Sequence, residues 1–145
     1  MKYNSQRDAN YFNRFGCEHL PDYLSIAVLE VGQGFLLAQL DVKRQHMAPN
    51  GFLHAASVIA LADTSAGYAC LAHLPETAES FTTLELKANF VSSVREGLIR
   101  CEAKAVHLGR TTHLWEARVF NQTNARLMAT FSCTQLLLQP KFSVG

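Results

Sequence analysis

Charged side chains are scarce in this chain. Asp, Glu, Lys and Arg make up 17% of its 145 residues, and the formal net charge is +1. So neutral a chain has no long-range field to draw it to nucleic acid or an anionic membrane surface. Any anionic ligand must be held by a local patch. A hydrophobic share of 48% excludes a disordered chain. Together with the low charge, it implies that a partner chain covers part of the surface.

Cysteine is sparse too. Cys17, Cys70, Cys101 and Cys133 stand far apart with no C-x-x-C pair, which argues against a zinc or redox site. Three of them lie in apolar stretches, where a free thiol behaves as a small hydrophobe. The absence of G-x-G-x-x-G and P-loop patterns argues against dinucleotide and NTPase sites. No apolar run reaches the length of a membrane span, and the opening MKYNSQRDAN has no apolar core of a secretory signal. The expectation is a soluble, cytoplasmic protein. With no repeat, linker or low-complexity tract, residues 1–145 read as one domain.

Tyr11, Phe12 and Phe15 recur at helical spacing within residues 7–15, and Pro21 closes that segment. Apolar runs over 24–31 and 35–42 flank Gly32-Gln33-Gly34, a hairpin pattern. A polar loop follows over 43–53. Residues 54–73, HAASVIALADTSAGYACLAH, consist of good helix formers that are apolar on nearly every side. Such a helix must be buried. Beyond Pro75 the signal is all strand: 84–90 alternates strictly, 98–107 alternates again, and 112–120 and 126–138 form a further pair. The order predicts a hairpin, one buried helix and a four-stranded antiparallel meander. The result is an α+β fold with a single sheet curled around the helix. The outer face of that sheet would leave Leu114 and Met128 exposed for subunit packing.

Asp63 is the informative residue. It stands mid-helix among Ala60, Leu61, Ala62 and Ala66, where an unpaired carboxylate is costly or has its pKa raised. Either it is a structural aspartate bonded to Thr64 or a strand hydroxyl, or it is a nucleophile or general base tuned by desolvation. The small residues along its face favour the second reading, since they leave room for a substrate carbon. At the helix start, N–H groups near Ala55 and Ala56 lack intrahelical partners and suit a developing oxyanion. Ala55 and Asp63 are separated by about 12 Å along a helix. One carbonyl cannot reach both in the same chain, so a site using both implies a symmetric dimer. His54 and His46 flank the preceding loop as shaping residues, with His54 positioned to contact substrate. Asn50 is either a turn residue, as an asparagine before glycine commonly is, or a partner of the reacting oxygen or of Asp63. No Asp, Glu or Cys joins the histidines at metal-ligand spacing, so no metal is expected. In His107-Leu108-Gly109-Arg110-Thr111-Thr112, Arg110 is either a solvated turn residue or a phosphate ligand.

These segments together resemble the PaaI-like (phenylacetic acid degradation) branch of the hotdog-fold acyl-CoA thioesterases. That family places a histidine, an asparagine and G-x-x-H-G-G before an L-A-D on its central helix. Here the run is His46-Met47-Ala48-Pro49-Asn50-Gly51-Phe52-Leu53-His54-Ala55-Ala56, followed by Leu61-Ala62-Asp63-Thr64. ELKANFV (85–91) and the HLGRTT turn are similar to the family's second strand and CoA-contacting turn, and the resemblance spans roughly residues 11–138. It implies a hotdog fold, hydrolysis of acyl-CoA thioesters, and a homodimer, with a dimer of dimers expected. It makes Asp63 the nucleophile or base and the Ala55 N–H the oxyanion donor, with His54 and Asn50 beside them. Gly51, Ala56, Thr64, Asn89, Gly109, Arg110 and Thr111 are the expected substrate and CoA contacts, and no cofactor is needed beyond the substrate's own CoA. Two departures stand out: alanines replace both glycines after His54, and Ala48 occupies the position of the family asparagine. They keep open a non-catalytic acyl-CoA-binding protein, which would retain CoA without turnover. A hotdog dehydratase is the other alternative, although the chain lacks the Asp-His dipeptide of that family.

Overall fold

The computed structural model describes residues 2–140. Helix α1 (Ala9–Phe15) and the short α2 (Leu20–Tyr23) precede β1 (Ile26–Gly32) and β2 (Phe35–Val42). After a 3-10 turn (Arg44–His46) come α3 (Ala55–Ala72), β3 (Ser80–Phe90), β4 (Gly97–Leu108), β5 (Thr112–Asn121) and β6 (Leu127–Leu138). Asp8 caps α1 by accepting from the Tyr11 N–H, and Pro21 opens α2 in its first turn instead of simply ending a segment.

All six strands form one antiparallel sheet in the order β1-β2-β4-β5-β6-β3. The expected meander is therefore corrected. Strand β3 runs antiparallel to β4, as a short link requires, but it pairs with β6 while β4 joins β2. Residues 91–96 cross the end of the sheet between them, and the Leu53 N–H bonds the Val94 carbonyl on that crossing. A sheet extended by β3 on its far side is wide enough to wrap α3, which a separate meander would leave half bare. The same crossing corrects Met128. Val91 and Ser92 both donate to its carbonyl, and its side chain is buried, whereas Leu114 is exposed.

Alternation sets which residues face the helix. Leu36, Ala38 and Leu40 on β2, Ile99, Cys101 and Ala103 on β4, and Trp115, Ala117 and Val119 on β5 are all buried. They meet Leu61, Ala62, Ala66, Ala69 and Cys70 of α3 in one core. Small residues dominate that helix, so the sheet can approach closely all round, and every strand touches it. By length and composition α3 would also suit a bilayer, with mean hydropathy 1.3, but the sheet already supplies its apolar surroundings. Phe12 seals the open side by stacking on Tyr68 at 4.6 Å.

Strand β3 carries a bulge between Thr83 and Glu85. Phe81 and Thr83 face inward before it and Leu86 after it, so Leu84 leaves the face that strict alternation assigns it. Cys70, Cys101 and Cys133 are buried, with thiols pushed up to about 12 by burial, while Cys17 is exposed. A thiol reagent should therefore label only Cys17 in the native protein. Labelling of a second cysteine at a similar rate, before unfolding, would contradict this packing.

Candidate active site

The mid-helix carboxylate is as isolated as its neighbours suggest. Asp63 Oδ1 is buried and has no hydrogen-bond partner. Among the described residues, neither Thr64 nor any strand hydroxyl bonds it, so it does not serve as a structural tether. Burial raises its pKa above the ordinary carboxylate range. It lies on the wall of a cavity of about 430 Å³, beside Thr64, Gly67, Tyr68 and Leu71 of the same helix. Phe81 and Ser80 of β3 form the facing wall, and Tyr11 and Phe15 of α1 the third. Gly67 makes room here, since a methyl on it would stand 2.9 Å from the Phe81 ring.

The sequence reading treats Tyr11 and Phe15 only as helix residues. Stacked at 5.8 Å, and with Phe15 edge-on to Tyr68, they give the cavity an aromatic side. Arg7 joins them, its guanidinium donating to the Leu71 carbonyl. A glycine inside a helix, Gly67, was the available sign that something approaches closely at this turn.

The start of α3 is built for an exposed donor. His54 caps the helix, its Nδ1 accepting from the Ala56 N–H at 2.9 Å. That leaves Ala55 as the first helical amide, and no described residue accepts its N–H. Both alanines are exposed and helical, a conformation open to any residue. Losing the family glycines therefore leaves the backbone donor in place. The loop before them closes on itself: Ala48 donates to the Phe52 carbonyl, and Gly51 takes φ +85°. Arg95 covers the Phe52 ring at 4.3 Å. Asn50 accepts from the Phe52 N–H at 3.2 Å as a turn residue, and no described residue bonds its amide nitrogen. His46 is fully buried and structural, bonded to the Lys43 N–H and the Leu24 carbonyl.

Within one chain the expected site residues fall into separate places. Asp63 and Thr64 share the cavity, whereas Asn50, Gly51, His54, Ala55 and Ala56 lie at the helix start. Gly109, Arg110 and Thr111 form the β4–β5 turn, with Arg110 and Thr111 exposed and the Thr111 carbonyl accepting from the Leu137 N–H. Strand β3 begins beside Leu138, so this turn sits at the end of the sheet where Ser80 lines the cavity. Gly109 must lack a side chain, because a methyl would stand 2.6 Å from His107 Nε2 and 2.9 Å from the Thr112 carbonyl. Asn89 faces away from α3, on a polar groove with Lys87, Arg118 and Ser132.

The family model of the thioesterase superfamily matches residues 50–128, a span that contains the helix start, Asp63 and the β4–β5 turn. The chain belongs to the thioesterase superfamily. The 1,4-dihydroxy-2-naphthoyl-CoA hydrolase of Escherichia coli is 30% identical over 129 residues, 87% of this chain and 91% of that protein. In fold this thioesterase is similar to a Haemophilus influenzae thioesterase, with a TM-score of 0.90 at 22% identity and complete coverage of both chains. The PaaI protein of E. coli gives a TM-score of 0.78 at 19% identity, covering 89% of this chain and 91% of that one. The thioesterase is thus a hotdog-fold thioester hydrolase, with α3 as the helix that the sheet wraps.

Proposed function

We propose that this thioesterase hydrolyses acyl-CoA thioesters at Asp63, in a site completed by a second copy of the chain. The observation that carries the reading is the half-buried Asp63, whose Oδ1 is buried with no partner among the described residues, on the wall of an aromatic cavity. As a nucleophile that carboxylate attacks the thioester carbon, the C–S bond breaks to release the thiol, and water then cleaves the resulting anhydride. As a base it takes the proton of a water that attacks the carbon instead, and the same C–S bond breaks. The products are the free acid and CoA. The Ala55 N–H of the second copy stabilises the oxyanion, and Asn50 and His54 hold its loop beside the thioester. Gly51, Ala56 and Thr64 line the acyl end of the substrate; Asn89, Gly109, Arg110 and Thr111 receive CoA.

Strand β3 supports the second copy. It ends the sheet with an unpaired backbone edge, and Leu84, Leu86, Phe90 and Val91 are between 40% and 59% exposed along it. Leu86 and Phe90 face the helix side yet remain uncovered, as expected where another chain packs. Pairing β3 with β3 of the second copy buries this edge; two such dimers then make the tetramer. An exposed free Cys17 fits a reducing cytoplasm.

The E. coli relative acts on an aromatic CoA thioester. The ring-lined cavity of this chain fits an aryl acyl group of the same kind. A panel of aryl and alkyl acyl-CoA thioesters, read by release of free thiol, tests the activity. Hydrolysis is expected, and binding of every thioester without thiol release would overturn it. Arg110→Ala should raise KM several-fold with kcat nearly unchanged, because a phosphate contact remote from the carbonyl binds ground and transition states alike. A loss confined to kcat would place Arg110 in the chemistry instead.

A further inference from the structure

The cavity beside Asp63 has a charged far end that the chemistry at Asp63 leaves unused. Asp63, Gly67 and Leu71 follow one another at one-turn intervals on α3 and line the cavity in that order. Arg7 closes the Leu71 end, where its Nη1 donates to the Leu71 carbonyl. That carbonyl belongs to the last turn of α3, which lacks intrahelical donors, so one N–H and a positive charge there serve the helix. A lysine would do as much. A guanidinium carries five N–H donors in a planar fork. The Leu71 carbonyl is the one partner of Arg7 among the described residues. Its Nε and Nη2 therefore keep their protons unclaimed along one edge, the pattern that grips a carboxylate with two parallel bonds. The side chain is half-buried, which makes an unused cationic fork costly. Glu79 also lines the cavity, but it is exposed to water and forms no ion pair with Arg7.

We infer that Arg7 binds a second carboxylate at the far end of the acyl group, so that the preferred substrate is a CoA monothioester of a dicarboxylic acid. The inference rests on the proposed role of Asp63. Eight positions separate Asp63 from Leu71, about 12 Å along the helix. A contact of about 3 Å at each end leaves about 6 Å between the thioester carbon and the second carboxylate. A single benzene ring with para substituents spans that gap, and the stacked Tyr11 and Phe15 offer it an aromatic wall. The CoA arm leaves Asp63 in the other direction. Antiparallel pairing of β3 with β3 of a second copy brings that copy's β4–β5 turn towards the Asn89 end of this strand, away from Leu71. The ion pair at Arg7 is remote from the bonds that form and break. It therefore selects the acyl group and takes no part in the chemical steps.

Hydrolysis of two matched thioesters by the full-length protein tests the inference. 4-Carboxybenzoyl-CoA carries the second carboxylate, and 4-carbamoylbenzoyl-CoA has the same shape without the charge. The wild-type protein should favour the first in kcat/KM by about tenfold or more, the worth of a hydrogen-bonded charge pair. Arg7→Gln should erase that preference and leave kcat/KM for the carbamoyl thioester within about twofold of wild type. Arg7→Lys should keep part of the preference, since the charge remains and the fork is lost. Both substrates carry the same CoA, so an equal loss on the two would place Arg7 on CoA or on the helix end alone and overturn the inference. A wild-type protein that does not prefer the carboxylate would overturn it too, as would a preference that survives in Arg7→Gln. If Arg7→Gln does not fold, the wild-type ratio and its weakening in Arg7→Lys decide. Failure here, with the carbamoyl thioester hydrolysed and Asp63→Asn inactive on it, removes only the role of Arg7. No thiol release from any acyl-CoA removes the proposed site and this inference with it.

Discussion

Asp63→Asn should reduce thioester hydrolysis by a factor of about 10² or more while the fold and CoA affinity persist. Asparagine keeps the shape of the side chain but can neither take a proton nor attack. The surrounding residues are mostly small or apolar, and no described residue bonds Asp63, so the exchange breaks no internal contact. The same variant should melt at a higher temperature than the parent at neutral pH. Burial raises the folded-state pKa of Asp63, so the ionised carboxylate opposes folding above that raised value, and asparagine removes the penalty. The gain should shrink as pH falls. Below the ordinary carboxylate value Asp63 is protonated in the folded and unfolded chains alike. Parallel measurement of kcat/KM and melting temperature separates this outcome from simple misfolding, which would lower both. Near-normal turnover in Asp63→Asn would remove the assignment.

Ala55→Pro should be nearly as damaging to activity, by a factor of about 10² to 10³, as loss of one oxyanion donor is elsewhere. The substitution is unusually clean at this position. Ala55 is the first residue of α3, where proline is well tolerated, and no described residue accepts its N–H. His54 has ψ 136°, the extended backbone that a residue before proline prefers. The cap from His54 goes to Ala56 and survives. The helix should therefore persist and kcat alone should fall, with circular dichroism unchanged. Full activity in Ala55→Pro would place the oxyanion donor elsewhere, with the amide of Asn50 the next group to test.

The elements of the fold were legible because each carries a strong local signal. An eighteen-residue stretch apolar on every side, from Ala55 to Ala72, has one stable place, inside the sheet. Alternation over β4 gave its buried face correctly. Strand adjacency was not legible, because the short link over 91–96 fixes the relative direction of β3 and β4 but not their neighbours. The need to wrap α3 decides those, and no residue on the link encodes it. Asp63 stood out as a carboxylate that its own helix penalises. The wall built by Tyr11, Phe15 and Tyr68 did not, since aromatic residues at helical spacing read as ordinary core.

Subunit mixing tests the central claim most directly. Asp63→Asn and Ala55→Pro proteins should each be inactive alone, because each homodimer lacks one half of both sites. The separation of about 12 Å along α3 means that one carbonyl cannot use both groups of one chain. In a mixed dimer, one site receives an intact Asp63 from one chain and an intact Ala55 N–H from the other. Mixing under proven subunit exchange should therefore restore a fraction of wild-type acyl-CoA hydrolysis, measured as released thiol. No recovery, with exchange demonstrated, would contradict a site shared between two chains.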